Sequence, residues 1–468
     1  MAFWNRRKSM DLTGHEGHQR LRRTLGWPHL VALGVGAIVG TGIYTLTGIG
    51  AGRAGPAVIL AFAIAGVVCA CAALAYAELA TLIPASGSAY TYTYTVGGEL
   101  IAWIVGWSLI LEYSVVCSAV AVGWAGYAVG FLQSIGVNLS PALIAGPHAG
   151  GVINLPAIII IAAVAGLLML GTRESARVNS LLVVFKVVAL LAFTAVAVTA
   201  FNLENFTPFM PYGFASHVEG NEVKGVMAAA AIIFFAFYGF DAVATAAEEA
   251  KNPEKDLTKG IVGSMVVCTI IYMVVAAAAL GAMHYTQFAD SPEPLAHILR
   301  SLNAPFTAKF IGAAAIIALP TVILAFMYGQ TRIFFVMARD GLLPQGLARV
   351  NEKTGTPVLM TVVTAIIVAL VAGFFPLAEI AELANAGTLC AFIAVCACML
   401  VLRVREPMRR RIFRTPWPWI VGPLGILGCI YLFISLPSGT QIRFFIWNAL
   451  GVVVYLLYGM RKSRLAGE

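Results

Sequence analysis

Charge is scarce in this sequence. Asp, Glu, Lys and Arg make up only 11% of its 468 residues, against a hydrophobic share of 60% and a mean hydropathy of +0.87. Soluble domains carry ~25% charged residues, so the deficit excludes a soluble fold and leaves an all-α integral membrane protein. Cysteine builds no framework. Cys69, Cys71, Cys117, Cys268, Cys390, Cys396, Cys398 and Cys429 all fall in apolar segments, with no CxxC pair and no Cys/His cluster. That spacing excludes a disulfide scaffold and a zinc site, and the thiols read as small helix-packing residues. The histidines (His15, His18, His29, His148, His217, His284 and His297) sit in loops or at span ends, so no histidine relay crosses the membrane. No metal cluster or activated nucleophile is visible, so neither a cofactor nor an enzyme activity is expected. The repeated polar rings of a channel are missing too.

No signal peptide is expected. The first 27 residues are polar and basic, and the apolar segment after them is too long for a signal h-region. Spans of ~20 apolar residues fall at 28–51, 56–82, 99–132, 153–171, 178–201, 224–248, 260–282, 308–338, 357–375, 379–402, 417–436 and 443–460, twelve in all. The net charge of +8 lies mostly in the loops between them and calls for no nucleic-acid partner. With a cytoplasmic N-terminus, 24 Lys and Arg fall on the cytoplasmic side. Five (Arg53, Lys224, Arg300, Lys309 and Arg443) fall on the other, and Lys186 lies inside a span. The positive-inside rule therefore predicts a multi-pass protein of the cell inner membrane with both termini, 1–27 and 461–468, in the cytoplasm. The runs Arg403-Val-Arg405 and Arg409-Arg-Arg411 admit two readings: plain topology charge, or a site for anionic membrane lipid.

The stretch with most to say is Gly34-Val-Gly-Ala-Ile-Val-Gly-Thr-Gly-Ile-Tyr44. It lies within a segment long enough to cross a bilayer, yet Gly recurs at 34, 36, 40, 42, 48 and 50. Each Gly inside a helix costs ~1 kcal/mol relative to Ala, and unwound backbone survives in lipid only where protein or a cavity surrounds it. The first span is therefore predicted to break at Gly40-Thr-Gly42. Phe234-Phe-Ala-Phe-Tyr-Gly-Phe-Asp-Ala242 interrupts the sixth span in the same way. Matching breaks five spans apart point to an inverted-repeat transporter, with 28–201 and 224–402 as the repeats and 417–460 as two extra helices. A packing face of small residues such as Gly36-xxx-Gly40 is the plainer alternative.

Several motifs carry a family resemblance. Gly36-Ala-Ile-Val-Gly-Thr-Gly-Ile43, Pro84-Ala-Ser-Gly-Ser-Ala-Tyr90, Phe237-Tyr-Gly-Phe-Asp241, Glu248-Glu-Ala-Lys-Asn-Pro253 and Arg339-Asp-Gly-Leu-Leu-Pro344 resemble the amino acid–polyamine–organocation (APC) superfamily. Gly106-Trp-Ser-Leu-Ile-Leu-Glu-Tyr113 and the twelve-span extent most resemble its bacterial cationic amino acid transporter branch, whose members include carriers of neutral amino acids. The resemblance implies twelve helices in a LeuT-type 5+5 inverted repeat plus two, with a free amino acid as substrate.

An amino acid presents a carboxylate and an ammonium group, and a broken helix offers complements to both. N–H groups from Thr41 to Ile43, beside Gly40 and Gly42, suit the carboxylate. Carbonyls at Ile38 and Val39, and at Phe235, Ala236 and Tyr238 of the second break, suit the ammonium. By resemblance Phe235 is the gate over the substrate, and Pro320, Thr321 and Val322 border its side chain. For any one aromatic here, core packing is the alternative.

Lys186 lies mid-span among apolar residues, where a charge costs at least ~2.5 kcal/mol. Desolvation disfavours its ammonium form and lets it exchange a proton, so Lys186 is expected to touch the first break and couple transport to protons. In sodium-coupled relatives of the fold a cation sits beside span 1, and this lysine resembles a built-in replacement. A structural ammonium that never titrates is the rival. Glu112 and Asp241 are buried acids expected in a supporting polar network, paired with Lys186, with each other or with a cationic substrate. The function expected is a proton-coupled amino acid symporter. An exchanger or a cation or polyamine carrier of the same fold, and a non-transporting sensor, are the alternatives. Whether a small membrane partner binds stays open.

Overall fold

In the computed structural model, residues 6–8, 25–83, 87–170, 175–220, 222–237, 239–245, 250–348 and 357–466 are described. Tyr238, Pro84 to Ser86 and Glu248-Glu249 of the motifs above lie outside them. Among the described residues the regular structure is helical apart from one short hairpin, His217–Glu219 (β1) with Glu222–Lys224 (β2).

The first apolar segment forms three pieces: α1 (Trp27–Ile38), α2 (Thr41–Tyr44) and α3 (Leu46–Ala54). α4 (Val58–Leu82), α5 (Ser88–Val96), α6 (Glu99–Ser134), α7 (Leu155–Leu170) and α8 (Ser175–Thr199) follow. The second interrupted segment comprises α9 (Val226–Ile233), a 3-10 turn at Phe234–Ala236 and α10 (Asp241–Thr245). Then come α11 (Pro253–Ala282), α12 (Pro294–Ser301), α13 (Pro305–Arg339), α14 (Val358–Phe374), α15 (Leu377–Arg405), α16 (Pro418–Ile434) and α17 (Ser438–Val454).

Among the described residues seven helical stretches are long and apolar enough to cross a membrane, and five apolar helices are shorter. One of the seven runs from Leu46 to Leu82, where the sequence predicts two spans. Gly55, at φ +63°, and Pro56 make a single 3-10 turn there, so α3 and α4 abut with no polar loop between them. α5 and α12 were not foreseen. α5 is buried along its whole length although it alternates Thr and Tyr. Four of its hydroxyls bond locally (Thr93 to Ala89 O, Thr95 to Thr91 O) or to acids (Tyr90 to Asp340, Tyr94 to Glu99), while those of Thr91 and Tyr92 have no partner among the described residues.

α6 is the most buried long span and packs on α13, α15 and α14. α11 packs on α4 and α1, α4 on α9, α8 on α1, α11 and α13, and α15 on α9 and α4. α7 packs on α14, α6 and α13. α16 and α17 lie outside this set, with Ile420, Leu427, Ile434, Phe445 and Leu457 exposed as a lipid-facing surface would require. All eight cysteines are free thiols.

Candidate functional site at the two helix breaks

The helix ends that make the site are positioned by glycine. α1 stops at Ile38, and the chain turns through Val39 and Gly40 (φ −146°, ψ −149°) before α2 begins. A Cβ on Gly42 would overlap the Cα of Ala236 in the second break. A Cβ on Gly239, itself at φ +119°, would lie 2.9 Å from the carbonyl carbon of Ala37. Each break thus presses a glycine against the other's backbone, an approach only glycine permits.

Breaking α1 strips its last carbonyls of helical partners. Side chains from two other helices replace them. Lys186 Nζ of α8 donates to Gly36 O at 2.8 Å and Val39 O at 3.1 Å, and Tyr272 Oη of α11 donates to Ile38 O at 2.7 Å. Lys186 is fully buried and makes no ion pair among the described residues. On the far side of the break Tyr127 Oη donates to Tyr44 O at 2.6 Å. The N–H groups of Thr41 and Gly42 have no backbone acceptor among the described residues. Ile43 differs from expectation: its N–H is bonded to Gly40 O at 3.2 Å because α2 closes its own first turn.

The second break is held partly by its own aspartate and partly by side chains from α6 and α15. Asp241 Oδ1 accepts the Gly239 N–H at 3.0 Å, and Oδ2 accepts Tyr113 Oη at 2.8 Å. Asn385 Nδ2 of α15 donates to Ala231 O at 2.6 Å and Ile232 O at 3.3 Å, carbonyls at the end of α9.

Between the breaks lies a void of about 10 Å³, lined by Ala37, Ile38, Gly40, Thr41, Gly42, Val116, Val120, Phe235, Val322 and Phe326. That volume is about one water, so an occupant requires Phe235 and its neighbours to move. Phe235 lines the void. Thr321 does not reach the void. Its hydroxyl donates to Ala318 O at 2.6 Å, one turn back on α13, and Val322 supplies the lining instead. Ala236 contributes through its packing on Gly42, and Tyr238 lies outside the described residues.

Of the partners open to Glu112 and Asp241, Lys186 is not taken up: it forms no ion pair with either among the described residues. Asp241 is committed to the second break. Glu112 is buried beside Gly387, with no hydrogen-bond partner for either carboxylate oxygen among the described residues. The Thr388 hydroxyl near it donates to Ala384 O. Sequence reasoning missed Tyr272, Tyr127, Tyr113 and Asn385. Their signal was present, since each is a hydrogen-bonding side chain within an apolar segment.

The two ends of the bundle differ. A 630 Å³ vestibule, with Thr45, Val122 and Gly123 in its wall, also takes in the 289–292 loop and the start of α17. A Cβ on Gly123 would touch Thr41, so a single residue separates the vestibule from the break. At the opposite end the described residues are tied together by ion pairs and hydrogen bonds. Lys8 Nζ is 2.8 Å from Asp340, Glu99 accepts from Tyr94, Tyr455 and Ser463, and Glu78 is clamped by Arg403 and Arg411.

The family model for amino acid permeases matches residues 25–459. This chain belongs to that family, within the APC superfamily. It is a multi-pass membrane transporter, not an enzyme. It is 44% identical to a branched-chain amino acid permease, BcaP, of Bacillus subtilis (strain 168), over 98% of each chain. A methylthioribose transporter of the same organism is 39% identical over 99% of this chain and 100% of its own. The vacuolar cationic amino acid transporter 2 of Arabidopsis thaliana is 37% identical over 86% of this chain and 63% of its own.

Proposed function

We propose that this permease carries amino acids inward by proton symport and alternating access, with twelve spans in the inner membrane and both termini cytoplasmic. Spans 1–5 (28–201) and 6–10 (224–402) form LeuT-type inverted repeats, and 417–460 adds two helices. The packing supports the repeat. Shifted by five spans, the contact of α1 with α11 becomes that of α9 with α4, α8 with α13 becomes α15 with α6, and α7 with α13 becomes α14 with α6.

The observation that carries the function is Lys186 bridging Gly36 O and Val39 O. A charged ammonium there holds the unwound end of α1 through two charge-assisted hydrogen bonds. Loss of the proton weakens both and frees α1 to shift. The open N–H groups of Thr41 and Gly42 take the substrate carboxylate, and carbonyls of the second break near Phe235 and Ala236 take its ammonium. Ile38 and Val39 carbonyls, already engaged by Tyr272 and Lys186, serve as the link to the proton site. Val116, Val120, Val322, Phe235 and Phe326 around the void suit an uncharged apolar side chain, in keeping with the name of the branched-chain relative.

Proteoliposome uptake tests this reading with a panel of leucine, isoleucine, valine, lysine, arginine and methylthioribose, with and without an acidic exterior. Branched-chain substrates are expected to accumulate at least several-fold above background only with the gradient. Uptake driven by internal amino acid and indifferent to pH would replace symport with exchange, and a preference for arginine would overturn the substrate class.

A further inference from the structure

The six arginines between Arg403 and Arg414 look alike in sequence, but the fold sorts them. Glu78, fully buried on α4, accepts from Arg403 Nη2 at 2.6 Å, Arg411 Nε at 3.0 Å and the Thr415 N–H at 2.8 Å. Arg411 also donates to Leu402 O at 2.9 Å, Glu406 O at 3.1 Å and Arg409 O at 3.1 Å, which winds the 402–411 turn around its guanidinium. Arg409 is bonded to Glu406 at 2.9 Å, and Arg405 donates to Val96 O at 2.9 Å. Arg410 and Arg414 are left exposed, with no hydrogen bond or ion pair among the described residues.

Around these two cations the chain exposes large apolar side chains. Met408 is 94% exposed, Trp417 76%, Val404 67% and Trp419 60%. A soluble surface would hide such residues, and the turn that displays them is anchored rather than loose. Thr415 Oγ1 donates to Leu74 O at 3.0 Å. Trp417 sits at φ +41° as the N-cap of α16, a backbone region a bulky residue enters only when held there. The exposed apolar surface continues from Trp417 and Trp419 along α16 through Ile420, Leu424 and Leu427. Exposed tryptophans at the end of a lipid-facing helix mark the membrane–water interface, and free arginines at that depth meet phosphate head groups.

We propose that the 404–419 turn is a binding site for anionic phospholipid, in which Arg410 and Arg414 take the phosphate and Met408, Trp417 and Trp419 enter the head-group layer. The buried Glu78 clamp holds this turn against α4, so a bound lipid is fastened to the helix that packs on α9, beside the second break. The proposal does not depend on which substrate the permease carries.

Native mass spectrometry of the full chain tests it, titrating phosphatidylglycerol or phosphatidylcholine of identical acyl chains. Each arginine near a charged head group contributes a factor of about 5. R410Q/R414Q is therefore expected to weaken phosphatidylglycerol retention about 30-fold and leave phosphatidylcholine retention unchanged. W417A/W419A is expected to weaken both lipids alike. Both variants change exposed side chains, and an unaltered melting temperature verifies their folding. Equal retention of phosphatidylglycerol by wild type and R410Q/R414Q overturns the proposal, as does equal retention of the two lipids by wild type. Displacement of phosphatidylglycerol by millimolar inorganic phosphate would make this a free-phosphate site and overturn the lipid assignment.

Discussion

At the first break the carbonyls of Gly36, Ile38 and Val39 are met by side chains from two other helices, Lys186 of α8 and Tyr272 of α11. At the second, the carboxylate that holds Gly239 belongs to Asp241, two residues further along the same segment. A break tied to distant elements changes when those elements change, and one of its ties can gain or lose a proton. The second break shares that dependence through Tyr113 of α6 and Asn385 of α15, but its glycine is held by its own aspartate. The first break therefore leans chiefly on other helices, and the second only in part.

The comparison breaks most completely at Lys186. Lys186→Ala leaves two buried carbonyls without a donor, at about 1–3 kcal/mol each. Gradient-driven uptake in proteoliposomes should fall by roughly 100-fold and lose its dependence on external pH. An unaltered pH profile would reduce the lysine to a structural prop.

Gly42→Ala comes next, since its Cβ would overlap Ala236. Overpacking of this kind costs about 1–3 kcal/mol, and uptake should drop by roughly 10- to 100-fold at undiminished membrane expression. Near-normal uptake would mean that the breaks need not touch.

Asp241→Ala tests the second break. It removes the acceptor for the Gly239 N–H and the Tyr113 hydroxyl, at about 1–3 kcal/mol. The expected result is a lower melting temperature in detergent and weaker substrate binding, with the ratio of uptake with and without a pH gradient preserved. A changed ratio would show that both breaks respond to the proton.

Tyr272→Phe is the mildest, deleting one hydrogen bond to Ile38 O worth about 1 kcal/mol. Uptake should decline about 5-fold while keeping its pH profile. A shifted profile would place Tyr272 in the proton path with Lys186.

Much of the bundle could be read directly. The apolar segments, the two glycine-bearing interruptions and the lone lysine stand out because a helix-interior glycine and a membrane-buried charge are costly wherever they occur. Ile43 and Thr321 depart from expectation for one reason. Hydrogen bonds within one turn, Ile43 N–H to Gly40 O and Thr321 Oγ1 to Ala318 O, satisfy these groups before any ligand can. α5 is hard to read because its polar alternation resembles a loop, and the acids that meet Tyr90 and Tyr94 come from other elements.

What the sequence by itself determined is the class of molecule and the places where its helices fail: a glycine's missing Cβ and a lysine's charge are properties of single residues. Only the tertiary structure decided what meets those failures. Lys186 reaches Gly36 across 150 positions, and Glu78 gathers Arg411 across 333. Partners that remote are chosen by helix packing and carry no local pattern. The same packing divided one basic run into a buried clamp and two free arginines, because a guanidinium's role depends on whether an acid lies within its reach.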